Sequence, residues 1–122
     1  MRVRDVMVED VISVGPDEPL ERVLRALSEE SIHGVPVVDD GRLVGIVTSV
    51  DVAWALATGE WRELRAGEVA REAVKVRPDD PLELALDRMA AAGQDRAVVV
   101  EEGRVVGVLT VLDAVRALLG EE

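Results

Sequence analysis

The stretch GRLVGIVTSVD at Gly41–Asp51 returns as GRVVGVLTVLD at Gly103–Asp113, 62 positions further on. Between Asp39–Asp51 and Glu101–Asp113, six of thirteen positions are identical and most of the others are conservative exchanges. The correspondence is longer than this core. Ile12–Ala57 lies on Val74–Leu119 without a gap, and Pro16 and Pro19 meet Pro78 and Pro81 at the same spacing. Further upstream, Asp5-Val6-Met7 matches Glu68-Val69-Ala70 only if the first copy carries one extra residue. An internal duplication fixes architecture before any other feature is read. Here it divides the chain into a first repeat at 1–58, a linker at 59–67 and a second repeat at 68–122.

Each copy has the same order of elements. A β-branched run, Val11–Val14 or Ala73–Val76, precedes Pro-Asp-x-Pro, and proline in the first turn marks a helix start. Asp80 before Pro81 has the chemistry of an N-cap, and Glu18 before Pro19 is a poorer version. Leu20, Val23, Leu24 and Leu27 form an apolar helical stripe, repeated by Leu82, Ala85, Leu86 and Met89. VPVVDDGRLVGIVT and AVVVEEGRVVGVLT read as hairpins turning at Asp-Gly and Glu-Gly. A last helix follows, giving β-α-β-β-α twice and an α/β (α+β) fold. The strands are apolar at nearly every position, so both sheet faces are covered. A copy of about sixty residues holds too little core to stand alone. The expected solution is two repeats packed sheet to sheet with pseudo-twofold symmetry and equivalent clefts between them.

Composition restricts the chemistry. Of 122 residues, 48% are hydrophobic, but the only aromatics are two Trp, so the core consists of Val, Leu, Ile and Ala. There is no cysteine, which excludes disulfides and thiolate chemistry. A net charge of −11 repels phosphate backbones and anionic lipid, against a nucleic-acid or membrane-surface role. The N-terminal MRVRDVMVEDVISVG does not read as a signal peptide, and no apolar run approaches a membrane span. A cytoplasmic protein is expected. One histidine makes a metal site improbable. No nucleophile and base can be placed together, and there is no phosphate-binding glycine loop, so the expectation is a protein that is not an enzyme.

With IHGVPVVDDGRLVGIVTSVD in the first copy and AVVVEEGRVVGVLTVLD in the second, the chain resembles a tandem pair of CBS (cystathionine β-synthase) domains, and DVM and VISVGPDEPL fit the same pattern. The second copy departs from it: Val98 stands where Pro36 does, and Gln94-Asp95-Arg96 replaces Ile32-His33-Gly34. The resemblance implies a non-catalytic regulatory module. Such pairs bind adenosine-containing ligands (AMP, ADP, ATP or S-adenosylmethionine) in their clefts, with no required cofactor. They dimerise into discs of four CBS domains, and they control an enzyme or transporter, here in trans. A ligand-independent dimerisation or docking scaffold is the alternative.

The shared Thr-x-x-Asp admits two compatible readings. At a strand-to-helix junction, Thr48 with Asp51 and Thr110 with Asp113 resemble capping boxes. A carboxylate also suits the paired hydroxyls of a ribose, and a helix N-terminus suits a phosphate. Gly45 and Gly107 nearby permit close backbone approach or serve packing. By the resemblance, one site places adenine near Met7, Ile12, Ile32, His33 and Gly34, its ribose on Thr110 and Asp113, and a phosphate on Arg96. The other uses Ala70, Val74, Gln94, Asp95 and Arg96 for the base and Thr48 and Asp51 for the ribose. There Gly34 occupies the position matching Arg96, so the first site is expected to favour phosphorylated ligands. Trp54 has the spacing of a core or dimer-face residue, and Trp61 lies in the linker as a candidate interface residue.

Overall fold

The computed structural model describes residues 1–121. The chain divides into two compact units that are not consecutive in sequence: residues 12–73 form one, and residues 1–11 together with 74–122 form the other. Each unit has its own apolar core.

The central unit contains α1 (Leu20–Glu30), β1 (Gly34–Asp39), β2 (Arg42–Thr48), α2 (Ser49–Thr58) and the short α3 (Ala66–Val69). β1 and β2 pair antiparallel and close at Asp39↔Arg42. The two turn residues, Asp40 and Gly41, have φ of 52° and 81°, the left-handed pair that a tight hairpin turn demands. Leu20 and Val23 of the α1 stripe are fully buried against Val35, Val37 and Val47. Val52 and Ala55 of α2 join the same core, and Leu24 and Leu27 pack at its edge.

The other unit repeats the plan with β3 (Lys75–Val76), α4 (Leu82–Ala92), β4 (Arg96–Glu101), β5 (Arg104–Thr110) and α5 (Val111–Leu119). β4 and β5 pair antiparallel in a register matching that of β1 and β2. Leu82, Ala85 and Met89 are buried with Ala97, Val99 and Leu109.

The segment that precedes each repeat packs on the other repeat's core. Residues 64–71 lie on the central unit. Leu20 N–H donates to the Leu64 carbonyl, Ala66 N–H to that of Glu18 and Gly67 N–H to that of Pro16, at 2.9 Å each. Residues 1–8 do the same for the other unit, where Leu82 N–H donates to Met1, Val3 N–H to Asp80 and Arg4 N–H to Pro78, at 2.9–3.0 Å. Arg65 N–H donates to the Glu68 carboxylate, and Arg2 N–H to that of Asp5, at 2.8 Å in both. The one-residue offset upstream of the repeats falls between Met7 and Ile12, where the chain passes from one unit to the other.

Two local expectations need correction. Asp80 and Glu18 do not cap helices. Pro81 and Pro19 occupy the N-cap position without a side-chain bond. The two acids instead close the preceding turns, accepting from Arg77 N–H at 2.8 Å and Gly15 N–H at 2.6 Å. The expected strand Val11–Val14 shrinks to a single bridge, Val14↔Val37, whereas the second copy forms β3 on β4. Proline explains the difference: Val98 N–H donates to the Val74 carbonyl at 2.8 Å, but Pro36, at the matching place, has no N–H to give Ile12. Between α2 and α3, Trp61 is anchored on the central unit. It starts a 3-10 turn, Trp61–Glu63, and packs on the central unit's core with the Arg62 guanidinium 4.2 Å above its ring.

Candidate functional site

Each Thr-x-x-Asp stands where its hairpin's second strand turns into a helix, and each forms a closed box. Thr48 ends β2 with extended backbone. Its N–H and hydroxyl donate to Asp51 Oδ2 at 2.9 and 2.8 Å, and Asp51 N–H points back at the hydroxyl at 3.5 Å. Thr110 ends β5 and repeats this on Asp113 Oδ2 at 3.1 and 2.8 Å, with Asp113 N–H donating to the hydroxyl at 3.1 Å. The capping reading therefore describes both boxes.

The two carboxylates then differ. In the central unit, Arg71 lies across Asp51: Nη2 donates to Oδ1 at 2.6 Å, and Nε lies 3.0 and 3.1 Å from Oδ1 and Oδ2. The Asp51 side chain keeps only 11% of its exposure. Burial alone raises its pKa, but the Arg71 hydrogen bond and those from Thr48, together with the guanidinium charge, outweigh burial and hold it below the usual aspartate value. At Asp113, no donor among the described residues is recorded for Oδ1, so one carboxylate edge is open.

Arg71 is a residue at this box that the sequence does not single out. Its backbone is fixed: Arg71 N–H donates to the Ile46 carbonyl and Ile46 N–H to that of Arg71, at 2.8 and 2.9 Å. Gly45 beside it allows this approach, since a Cβ there would stand 2.7 Å from the Arg71 carbonyl oxygen and 3.2 Å from Ala70 Cβ. In the other unit, Val8 makes the matching pair with Val108 at 2.8 and 2.9 Å. A Cβ at Gly107 would meet Met7 Sδ at 3.0 Å and the Val8 carbonyl at 3.1 Å. Met7 and Ala70 thus lie against the glycine of the strand leading into each box. The one signal in the sequence is that Arg71 aligns with Val8 once the offset is allowed.

The remaining candidates divide by unit. In the central unit, Ile12 and His33 are exposed, Ile32 packs on the core edge and Gly34 begins β1. The His33 carbonyl accepts from Ser49 N–H at 3.1 Å and Ser49 Oγ at 2.9 Å, which ties this segment to the start of α2. In the other unit, Val74 is buried and Gln94 is partly buried. The Asp95 carbonyl accepts from Val111 N–H at 2.9 Å. Arg96 is the one buried charged residue among those described, 5% exposed, with Nε 3.0 Å from Asp95 Oδ1. A separate groove of about 920 Å³, lined by Lys75, Arg77, Arg88, Asp79, Asp80 and Glu101, shares no residue with either box. Among the described residues, no cluster of His, Cys, Asp and Glu could hold a metal ion, and no helix is long and apolar enough to cross a membrane.

Comparison with known proteins identifies the fold. The family model described as CBS domain matches twice, at residues 3–58 and 66–120. The CBS domain pair of protein MJ0100, solved in complex with 5'-methylthioadenosine and S-adenosyl-L-methionine, is 27% identical, with a TM-score of 0.89 covering 100% of this chain and 98% of that one. CBSX2 in complex with AMP is 28% identical, with a TM-score of 0.85 covering 98% and 96%. The homoserine O-acetyltransferase of Methanohalobium evestigatum is 29% identical over 120 residues, 95% of this chain but 24% of that protein. The chain spans between about a fifth and under a half of the curated relatives that it matches first.

Proposed function

The chain belongs to the CBS domain family, and from that premise we propose that it is a non-catalytic regulatory module that binds an adenosine-containing ligand and signals occupancy to a partner. Structures of similar pairs holding AMP, S-adenosyl-L-methionine or 5'-methylthioadenosine support the ligand class. The observation that carries the reading for this chain is the open edge of Asp113. A carboxylate already oriented by Thr110, at a helix N-terminus, is prepared to accept two hydroxyl protons from a ribose. Arg96, buried and paired with the exposed Asp95, is the cation for a phosphate.

A ligand that binds only the folded state raises stability by RT ln(1 + [L]/Kd), about 2.7 kcal/mol at a hundredfold excess over Kd. Thermal melts with AMP, ATP and S-adenosylmethionine should therefore show an upward shift of several degrees with at least one of them. No shift with any of them sinks the ligand reading and leaves the scaffold alternative.

We propose also that the module is a homodimer that acts on an effector enzyme or transporter. The last helix of each repeat carries apolar residues that nothing in its own unit covers. On α5, Leu112, Leu118 and Leu119 are 54–66% exposed, and on α2 Val50 and Trp54 are 70% and 56% exposed. A second copy burying such stripes stabilises by about 25 cal/mol per Å² of apolar surface. Sedimentation at micromolar concentration should give twice the chain mass, and replacing Leu112 and Leu118 by Glu should return it to one.

A further inference from the structure

We propose that Arg71 is a built-in occupant of the Asp51 end, so that the two repeats are unequal and the chain binds one ligand, at Asp113. This rests on the ribose reading of the two aspartates. Arg71 meets both carboxylate oxygens, so it occupies the acceptors that two ribose hydroxyls need. It is not a wandering surface arginine. Its backbone is held by two hydrogen bonds to Ile46, and the absent side chain of Gly45 lets the carbonyl in. A ribose must displace an ion pair that is already desolvated on the aspartate side, where the carboxylate is 11% exposed. The second repeat has the same box, strand glycine and docked segment, but Val8 replaces the arginine. The duplication thus acts as its own control: one box with a guanidinium on its acid, one without.

Calorimetric titration of the full chain with AMP, and in parallel with S-adenosylmethionine, tests this. Wild type should take up one equivalent per chain and Arg71→Met two, because removing the guanidinium bares Asp51 while the Ile46–Arg71 pairing is made by backbone. The reciprocal variant needs no loss of native contacts. Val8→Arg places a guanidinium against Asp113 in the same register and should remove the equivalent that wild type binds. A gain in Arg71→Met, or a loss in Val8→Arg should the first variant fail to fold, supports the proposal. Two equivalents in wild type overturn it and leave the ribose reading standing. No uptake of either compound by wild type and Arg71→Met overturns both.

Discussion

Gly45→Ala should lower the unfolding free energy by about 3 kcal/mol, near the top of the range for overpacking a tight contact. Gly107→Ala, its counterpart 62 residues on, should cost about 1 kcal/mol. The asymmetry comes from what each new methyl meets. At Gly45 the obstacle is the Arg71 carbonyl, 2.7 Å from where Cβ would sit. It cannot move without breaking the paired Ile46–Arg71 hydrogen bonds, each worth about 1 kcal/mol net. At Gly107 the nearest atom is the Met7 sulfur at 3.0 Å, the end of a flexible thioether that can swing aside. The Val8 carbonyl behind it, at 3.1 Å, need give by only a few tenths of an ångström. Urea unfolding of the two variants measures the difference. Equal costs, or a loss under about 0.5 kcal/mol at Gly45, would show that the docked leading segments yield freely.

That exchange of leading segments was the part of the fold hardest to read. The repeat and the apolar periods disclose the helices and hairpins, because 3.6- and 2-residue periodicities and a Gly turn are local signals. Leu20, Val23, Leu82 and Met89 are buried as their spacing predicts. Which repeat a leading segment packs on is a long-range choice with no period, and its one trace is the offset change between Met7 and Ile12. The shortened strand at Val14 was legible in principle, since Pro36 stands where Val98 donates to Val74. At the site, the Thr-x-x-Asp spacing yields the box geometry in both copies. It is silent on Arg71, which reaches Asp51 from 20 residues away in sequence. In the aligned copies Gly34 and Arg96 differ visibly, whereas Asp51 and Asp113 are identical, so the asymmetry at the two acids has no trace at the acids themselves.

Those two aspartates yield the largest effect on binding. Asp113→Asn should weaken AMP binding about 100-fold, whereas Asp51→Asn should change the affinity of the wild-type chain by less than about twofold. Hydrogen bonds to a charged group are worth about 1.5–3 kcal/mol each. An amide is neutral and keeps one acceptor, so one charge-assisted ribose bond is lost and the other is weakened. A loss of about 2.7 kcal/mol, or 100-fold, follows. In Asp51→Asn the acid removed is already engaged by Arg71, so no bond to ligand disappears. Both substitutions disturb a capping box, and each should cost stability on the order of 1 kcal/mol. Stability therefore does not discriminate the two readings, and affinity does. If the boxes only start helices, the variants bind AMP as tightly as wild type. If both boxes serve ligand alike, the two variants lose affinity together, and the guanidinium on Asp51 has no bearing on occupancy. Loss confined to Asp113 is the outcome that the open edge of its carboxylate requires.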